Sequence, residues 1–535
     1  MASGKQNRES CKIRVPSGLN VTEFRQRLWE YPDKDICDFL EYGWPINLES
    51  HINREGDIEN HTGAKSYEAE IDKYIEDEVN RDRIVGPYST NPFGGMMVIS
   101  PLNSREKKET TERRIILDLT YPGRESVNVG IPKDEYLGEK IELKYPTVDD
   151  FGRMVRKYGM GCHMFKRDLK KAYRQIPIDP RDIPKLAYRW KGKIYMDRVL
   201  SMGLRSAAYI CQRVTESVIH MFRNEGYEGI VYLDDFAGVD SPSRCEEAFE
   251  RLGELLEVLG LEESKGKADA PNTKMMFLGI LFDSETMSMC IAEDRIQEVR
   301  GELERWEDKT TASRKEVQSL VGKVSFMAKC VRPGRVFIAR MLETLKSCPE
   351  KGQKELDKEF IKDVVWWKLV MPRFNGVRLI PGRWSEEDEI LSVDACLTGA
   401  GGKCEDEMFH VEFPERILRD TKDINQRELA TIMVALKLWG EKLQNKRLKI
   451  LCDNKASVDV MKSGRAKNAY MQKCLREIVF ITATKEIEVF PRHIEGVNNR
   501  DADLLSRWHL DKKNQKETPT YLYEGENHKH RLVHI

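Results

Sequence analysis

Two sets of acids stand where hard-oxygen chemistry could be done. In the first, Asp234 and Asp235 interrupt a run of strand formers, Gly229-Ile230-Val231-Tyr232-Leu233-Asp234-Asp235-Phe236-Ala237-Gly238-Val239. Apolar residues on both sides predict a β-hairpin carrying the acids at its tip. An Asp-Asp turn alone is common, because aspartate accepts turn geometry and bonds its own backbone. Upstream, Asp168 stands among five cations within nine residues (Lys166, Arg167, Lys170, Lys171 and Arg174), and the segment runs on into Ile176-Pro177-Ile178. Leu169, Ala172 and Tyr173 lie in the same stretch, so a strand edge beside a polyanion accounts for it better than a solvated charged face. Carboxylates gathered from two strands suit nucleotidyl transfer. There, two Mg2+ ions about 3.5 to 4 Å apart activate a 3′-hydroxyl and stabilise the leaving pyrophosphate.

The second set is Asp394, Glu428, Asp453 and Asp503. Asp394 ends a strand-like run from Ile390 and precedes a glycine-rich turn, Gly399-Ala400-Gly401-Gly402. Glu428 begins a helix whose apolar face is Leu429, Ile432, Met433, Leu436 and Trp439. Leu448 to Cys452 reads as a strand delivering Asp453-Asn454, and the segment from His493 to Arg507 opens a last helix. Any one of these acids alone is ordinary structure; four in this order, each at an element edge, are not an accident of composition.

Elements able to position such residues need room, and 535 residues allow about three to five domains. Hydrophobic residues at 40% and charged residues at 33% can build several cores and do not match a disordered chain. No apolar run reaches the roughly 18 residues of a membrane span, and the start MASGKQNRESCKIR lacks a secretory apolar stretch. The 12 cysteines contain no C-x-x-C pair, so the expectation is a reducing compartment, cytoplasmic or nuclear, with no membrane partner. With 88 Lys and Arg against 89 Asp and Glu, any polyanion must be held by local segregation of charge. Helix-like stretches fall at Thr22 to Phe39 and Ser66 to Glu78. Short strands are expected at Met97 to Ser100, Arg114 to Leu119, Ile230 to Leu233 and Met276 to Phe282, and a helix over Cys245 to Gly260. Val317, Leu320, Val321, Val324 and Met327 recur at helical spacing, and Trp366-Trp367 and Trp384 mark a connector. The tail from Trp508 is polar and holds four of the ten histidines.

Asp168-Leu169-x-x-Ala172-Tyr173-x-Gln175-Ile176, then Tyr232-Leu233-Asp234-Asp235, then Phe277-Leu278-Gly279-Ile280 resemble successive palm motifs of retroelement reverse transcriptases, in order and at compatible spacing. The resemblance implies a right-hand polymerase of fingers, palm and thumb in which Asp168 and Asp234 ligate the metals and Asp235 assists. It makes Tyr173 the aromatic gate that excludes a ribose 2′-hydroxyl. It makes Arg114, with Lys107 or Lys108, the fingers cations on the triphosphate. Leu200 to Ala207 resembles the loop and helix closing over the base pair, with Met202, Gly203 and Gln212 at the nucleotide. Ser201 stands where the family usually has proline. Lys265, with Lys267 competing, would face the pyrophosphate; Phe277, Leu278 and Gly279 would form the primer grip, and Gly322 and Lys323 would lie in the thumb.

The second set resembles the ribonuclease H domain that follows many such polymerases, with Asp394, Glu428, Asp453 and Asp503 as metal ligands, Asp501 as the fallback for the last, and His493 in a product-release loop. Cys396 replaces the usual serine after the first acid. The implied fold class is α+β multidomain, a right-hand polymerase followed by a ribonuclease H-like α/β domain. The implied boundaries are 1–84 N-terminal extension, 85–285 fingers and palm, 286–345 thumb, 346–387 connector, 388–507 ribonuclease H-like domain and 508–535 tail. Two Mg2+ ions per site, replaceable by Mn2+, are the implied cofactors. RNA template, DNA primer, RNA–DNA hybrid and deoxynucleoside triphosphates are the implied partners, with other retroelement proteins such as a recombinase. Val85-Gly86-Pro87-Tyr88, Asp118 to Gly123 and Ser126-Val127-Asn128 look most like the DIRS group, with gypsy-like elements next. No Asp-Thr-Gly or Asp-Ser-Gly protease motif and no integrase-type zinc array is seen, so those activities are expected to be absent or on another chain. The alternatives are a domesticated, catalytically silent nucleic-acid-binding scaffold on the same fold and an RNA-dependent RNA polymerase. The latter does not predict Tyr173 or the second acid set.

Overall fold

A proline inside a helical pattern breaks it, and the first element shows this. Instead of one helix over Thr22 to Phe39, a computed structural model of the protein has α1 (Val21–Arg27) and α2 (Asp35–Tyr42), separated by a segment containing Pro32. It describes residues 13–49, 58–106, 112–372, 375, 377–378, 389–485 and 487–510. Contacts divide the chain into two compact units, Met1–Ser288 and Met289–Ile535.

In the first unit, α3 (Glu68–Asn80) follows α2. These helices do not stand apart as an extension. Phe24, Ile36, Leu40, Trp44 and Ile46 are fully buried in the same core as Phe165, Val218 and Phe236. Trp44 donates its amide to Pro177 O (2.9 Å) and accepts from the Asp179 amide (2.9 Å). Next come β1 (Ile84–Tyr88), β2 (Leu102–Glu106) and β3 (Arg113–Leu117), the last two a hairpin. The strand expected at Met97 to Ser100 is reduced to one bridge, Ile99 with Ala187. Helix α4 (Val148–Tyr158) starts at a capping box between Thr147 and Asp150 and leads to β4 (His163–Asp168), β5 (Ala187–Trp190) and β6 (Lys193–Asp197). After α5 (Ala207–Asn224) come β7 (Gly229–Tyr232), β8 (Asp235–Asp240), α6 (Cys245–Val258), β9 (Asp269–Asn272), β10 (Lys274–Phe277) and β11 (Ile280–Asp283). The central sheet runs β9-β4-β8-β7. The apolar run Met276 to Phe282 is two strands, because Leu278 and Gly279 both take positive φ (48° and 75°) and fold it into a two-residue turn.

In the second unit come α7 (Glu293–Glu307) and α8 (Arg314–Met327), and α8 packs by the apolar stripe read from the sequence: Val317, Leu320, Val321, Val324 and Met327 are buried. Then come α9 (Ala339–Ser347) and α10 (Lys358–Val370). Trp366 and Trp367 are buried on α10, with Trp366 stacked 3.7 Å from Phe337; Trp384 lies outside the described residues. Five strands follow: β12 (Glu389–Ala395), β13 (Gly399–Cys404), β14 (Glu407–Glu412), β15 (Arg447–Cys452) and β16 (Glu488–His493), in the order β14-β13-β12-β15-β16. The first three are antiparallel, and β15 and β16 are parallel additions. Helices α11 (Ile424–Trp439), α12 (Lys455–Ser463), α13 (Ala469–Thr484) and α14 (Arg500–Ser506) complete the block. Gly399 to Gly402 are strand residues rather than the expected turn. A Cβ at Gly401 would meet the backbone of Ser506, so the glycines let α14 lie on β13. Among the described residues no helix is long and apolar enough to cross a membrane.

Candidate active sites

Strand register brings the first three acids together. In the β4–β8 pair Asp168 lies directly opposite Asp235, and in the β7–β8 pair Asp235 lies opposite Tyr232, which leaves Leu233-Asp234 as the hairpin loop. Leu233 is left-handed (φ 60°), a conformation a leucine enters only when its surroundings impose it. Gln212 imposes it: its buried amide donates to Val231 O (2.8 Å) and accepts from the Leu233 amide (2.6 Å). The Leu169 amide donates to Asp234 O (3.0 Å), tying the tip to the end of β4. Burial, then Asp168, raises the Asp234 pKa. Asp235 is pushed up to about 7, mainly by burial, which the ammonium of Lys166 only partly offsets, and its Oδ1 is buried with no hydrogen-bond partner. A cluster of carboxylates that each disfavour one another's charge is short of positive charge. Lys267 supplies some, 3.1 Å from Asp168 Oδ1.

The other residues named from the sequence fall out unevenly. Tyr173 is half-buried; its hydroxyl is held well above its ordinary pKa by burial, then by Cys211 and Asp234 nearby. Arg114 is exposed on β3 opposite Arg105, and its charge reaches Asp234. Met202 is half-buried, and Gly203 (φ 98°) is held through its carbonyl by Asn128 Nδ2 (2.8 Å). Three expectations change. Gln212 is fully buried under the hairpin, so it shapes the acid loop and cannot touch a nucleotide. Phe277 is fully buried against Phe151 (5.0 Å), so only the Leu278-Gly279 tip of that hairpin can meet a primer. Lys265 is exposed, and Lys267, two residues on, is the cation at Asp168. Lys107 and Lys108 lie outside the described residues. Glycine alone separates Lys265 from Lys267, so spacing could not choose between them.

The second set also converges. Ligand atoms of Glu428, Cys452 and Asp453 lie within 4.8 Å of one another. Asp394, at the end of β12, is buried and accepts from Ser506 Oγ (2.5 Å). Burial raises its pKa to about 6, with the Ser506 hydroxyl opposing and Asp453 and Asp503 adding to the rise. Glu428, one turn into α11, is pushed up to about 9 by burial, then by Asp394 and Asp453. Asp453 is raised by burial and Asp503. Asp503 pairs with Arg507 (2.8 Å), whereas Asp501 is turned to Lys403 (2.9 Å). Two residues apart on a helix, the acids point about 200° from each other, and Asp503 is on the side of the cluster. His493 Nε2 lies 2.9 Å from Asp453 O, and Asn499 Nδ2 donates to Val393 O (2.8 Å), holding the start of α14 beside Asp394. Sequence reading missed Cys452, whose thiol points at Glu428 Oε2 (3.8 Å), and Ser506; neither has a spacing signature.

Residues 128–282 match the family described as Reverse transcriptase (RNA-dependent DNA polymerase). The chain carries a reverse transcriptase domain of the kind found in retroelement polyproteins. Its relatives include Polyprotein P3 of Commelina yellow mottle virus, 23% identical over 388 residues, covering 69% of this chain and 19% of the relative. Another is the retrovirus-related Pol polyprotein from transposon 297 of Drosophila melanogaster, 22% identical over 486 residues, covering 88% of this chain and 41% of the relative. The chain thus spans less than half the length of these relatives. Among solved structures, a foamy viral protease-reverse transcriptase in complex with double-stranded DNA superposes with a TM-score of 0.51 at 14% identity, over 91% of this chain and 83% of that one. The shared fold is a polymerase followed by a C-terminal region.

Proposed function

We propose that this chain is an RNA- and DNA-templated DNA polymerase joined to a ribonuclease that cuts RNA in RNA–DNA hybrids, serving retroelement replication. The observation that carries it is the register that sets Asp168 against Asp235 with Asp234 at the adjoining tip, beside a second gathering of acids in the other unit, where Glu428 and Asp453 converge and Asp394 acts on Glu428. Hard carboxylate oxygens, including the orphaned Asp235 Oδ1, fit Mg2+, with Mn2+ as a substitute. Asp168, Asp234 and Asp235 would hold such ions in one site, and Asp394, Glu428, Asp453 and Asp503 in the other. When bound, paired ions supply Lewis acidity to the phosphate and to the attacking oxygen.

The protein's own groups do the rest. Arg114 presents a guanidinium suited to bidentate phosphate contact. Tyr173, five residues after Asp168, would set its ring below the sugar and select deoxynucleotides. Lys267, already at Asp168, can hand a proton toward the leaving pyrophosphate, with Lys265 two residues away. Leu278-Gly279 offers backbone to the primer. In the second site Ser506 orients Asp394, and His493 braces Asp453 through its carbonyl. The substrates are an RNA or DNA template, a DNA primer, deoxynucleoside triphosphates and the hybrid product. The motifs at Val85 to Tyr88 and Asp118 to Gly123 look most like the DIRS group, with gypsy-like elements next, which supports a reading in which a retroelement recombinase is a companion. Clustered acids that repel one another cost stability in a silent scaffold, which favours the enzyme.

Extension of a DNA primer on an RNA template, with both strands followed and with Mg2+ or EDTA, tests both sites. Asp234→Asn is expected to abolish extension and spare RNA cleavage, and Asp394→Asn to do the reverse. If each variant kept both activities, the assignment would be wrong.

A further inference from the structure

The turn bearing Tyr173 is held by three buried charges, Arg174, Glu78 and Asp197, with Lys171 at its edge. Ala172–Gln175 forms a single 3-10 turn after Lys171, itself left-handed (φ 49°). Arg174, only 6% exposed, donates from Nε to Glu78 Oε2 (2.8 Å), while its Nη1 lies 2.8 Å from Asp197 Oδ2. Lys171 Nζ donates to the other oxygen of Glu78 (3.0 Å). Asp197 in turn accepts from Ser201 Oγ. On the far side Gln175 donates to Lys170 O (2.7 Å) and Glu262 O (2.9 Å) and accepts from the Glu262 amide (2.7 Å). Glu78, Asp197 and Ser201 are 0%, 3% and 1% exposed. Burial alone would raise the Glu78 pKa, but Arg174 and Lys171 outweigh it and hold it low, so it is a buried anion with both oxygens committed to one turn.

We propose that Glu78, on the N-terminal helix α3, is a positioning residue for sugar selection: through Arg174 it fixes the turn that aims Tyr173, and through Arg174, Asp197 and Ser201 it ties that turn to the Ser201–Leu204 loop. The inference rests on the polymerase reading above. Ala172, Arg174 and Gln175 are buried and the Tyr173 ring packs against the same core, so the placement of the turn's backbone sets where the ring sits. Steric exclusion of one hydroxyl group depends on displacements well below the size of that group, so a turn released from its carboxylate loses discrimination before it loses catalysis. The chain also accounts for Ser201: proline there could not donate to Asp197, and the loop would lose its link to Arg174.

The test is single-nucleotide insertion by the full chain with a deoxynucleotide and the matching ribonucleotide. For Glu78→Gln the ratio of kcat/KM values is expected to fall about tenfold through a lower ribonucleotide KM, with deoxynucleotide kcat within about threefold of wild type. Ser201→Ala, which keeps the Arg174–Glu78 pair, is expected to move the ratio the same way by less. An unchanged ratio in both variants overturns the inference, as does an equal loss for both nucleotides, the mark of plain destabilisation. If Glu78→Gln does not fold, Ser201→Ala and Asp197→Asn decide by the same ratio. A wild-type chain that extends no primer overturns the polymerase reading and this inference with it; a wild type that discriminates beside variants that also do overturns the inference alone.

Discussion

Gln212 spends both ends of its amide on keeping Leu233 in a conformation that leucine avoids. Removing it leaves the Val231 carbonyl and the Leu233 amide without their partner, at a cost of about 1–3 kcal/mol. Gln212→Leu is therefore expected to lower the thermal midpoint modestly and primer extension strongly, because the loop that relaxes is the one presenting Asp234. Steady-state extension beside a melting curve checks this; a variant that melts early yet extends at the wild-type rate would show that the acid loop does not need the clamp. The same scale explains the revised roles. Phe277 and Gln212 sit at motif positions, but a side chain with no exposure acts through what it supports.

At the scale of elements, close packing sets the tolerances. Helix α14 carries Asp503 and Ser506 and rests on β13 where Gly399 and Gly401 lack side chains. Gly401→Val must push α14 outward, and overpacking of this kind costs about 1–3 kcal/mol. The expected outcome is loss of RNA cleavage with primer extension retained, read on one labelled hybrid substrate. Cleavage at the wild-type rate would mean that the α14 position does not matter to the acids. Helices α1 to α3 teach a related lesson. Their polar composition reads as an appendage, yet the few apolar residues they own, with Trp44 bridging to Ile178, are spent inside the main core.

For the whole molecule, a formal net charge of -1 gives no general attraction to a polyanion. Affinity for a primer–template duplex should nevertheless fall as salt rises, with a log–log slope near 0.9 per phosphate contact in magnitude. Fluorescence anisotropy across a salt series measures it, and a flat response would argue that no local cationic track exists. Lys166, Arg167, Lys170, Lys171 and Arg174 show how such a track is thinned: Arg167 is spent on Glu263, and Lys171 and Arg174 on Glu78. Counting charges along the chain could not reveal that.

The placement of most of the acids on their elements is legible in the amino-acid sequence. The acids Asp168, Asp234, Asp394, Glu428 and Asp453 each end or adjoin a strand or open a helix, and periodicity and turn residues within a dozen positions announce such edges. The α8 stripe was readable for the same local reason. What waited for the folded chain were choices among near neighbours and between distant partners. Lys267 or Lys265, Asp503 or Asp501, the burial of Phe277, the pairing of Glu78 with Arg174: each depends on where a side chain points once segments tens or hundreds of residues apart have packed. Local pattern carries the period of an element, while the direction of a side chain is settled by the neighbours that fill the space around it.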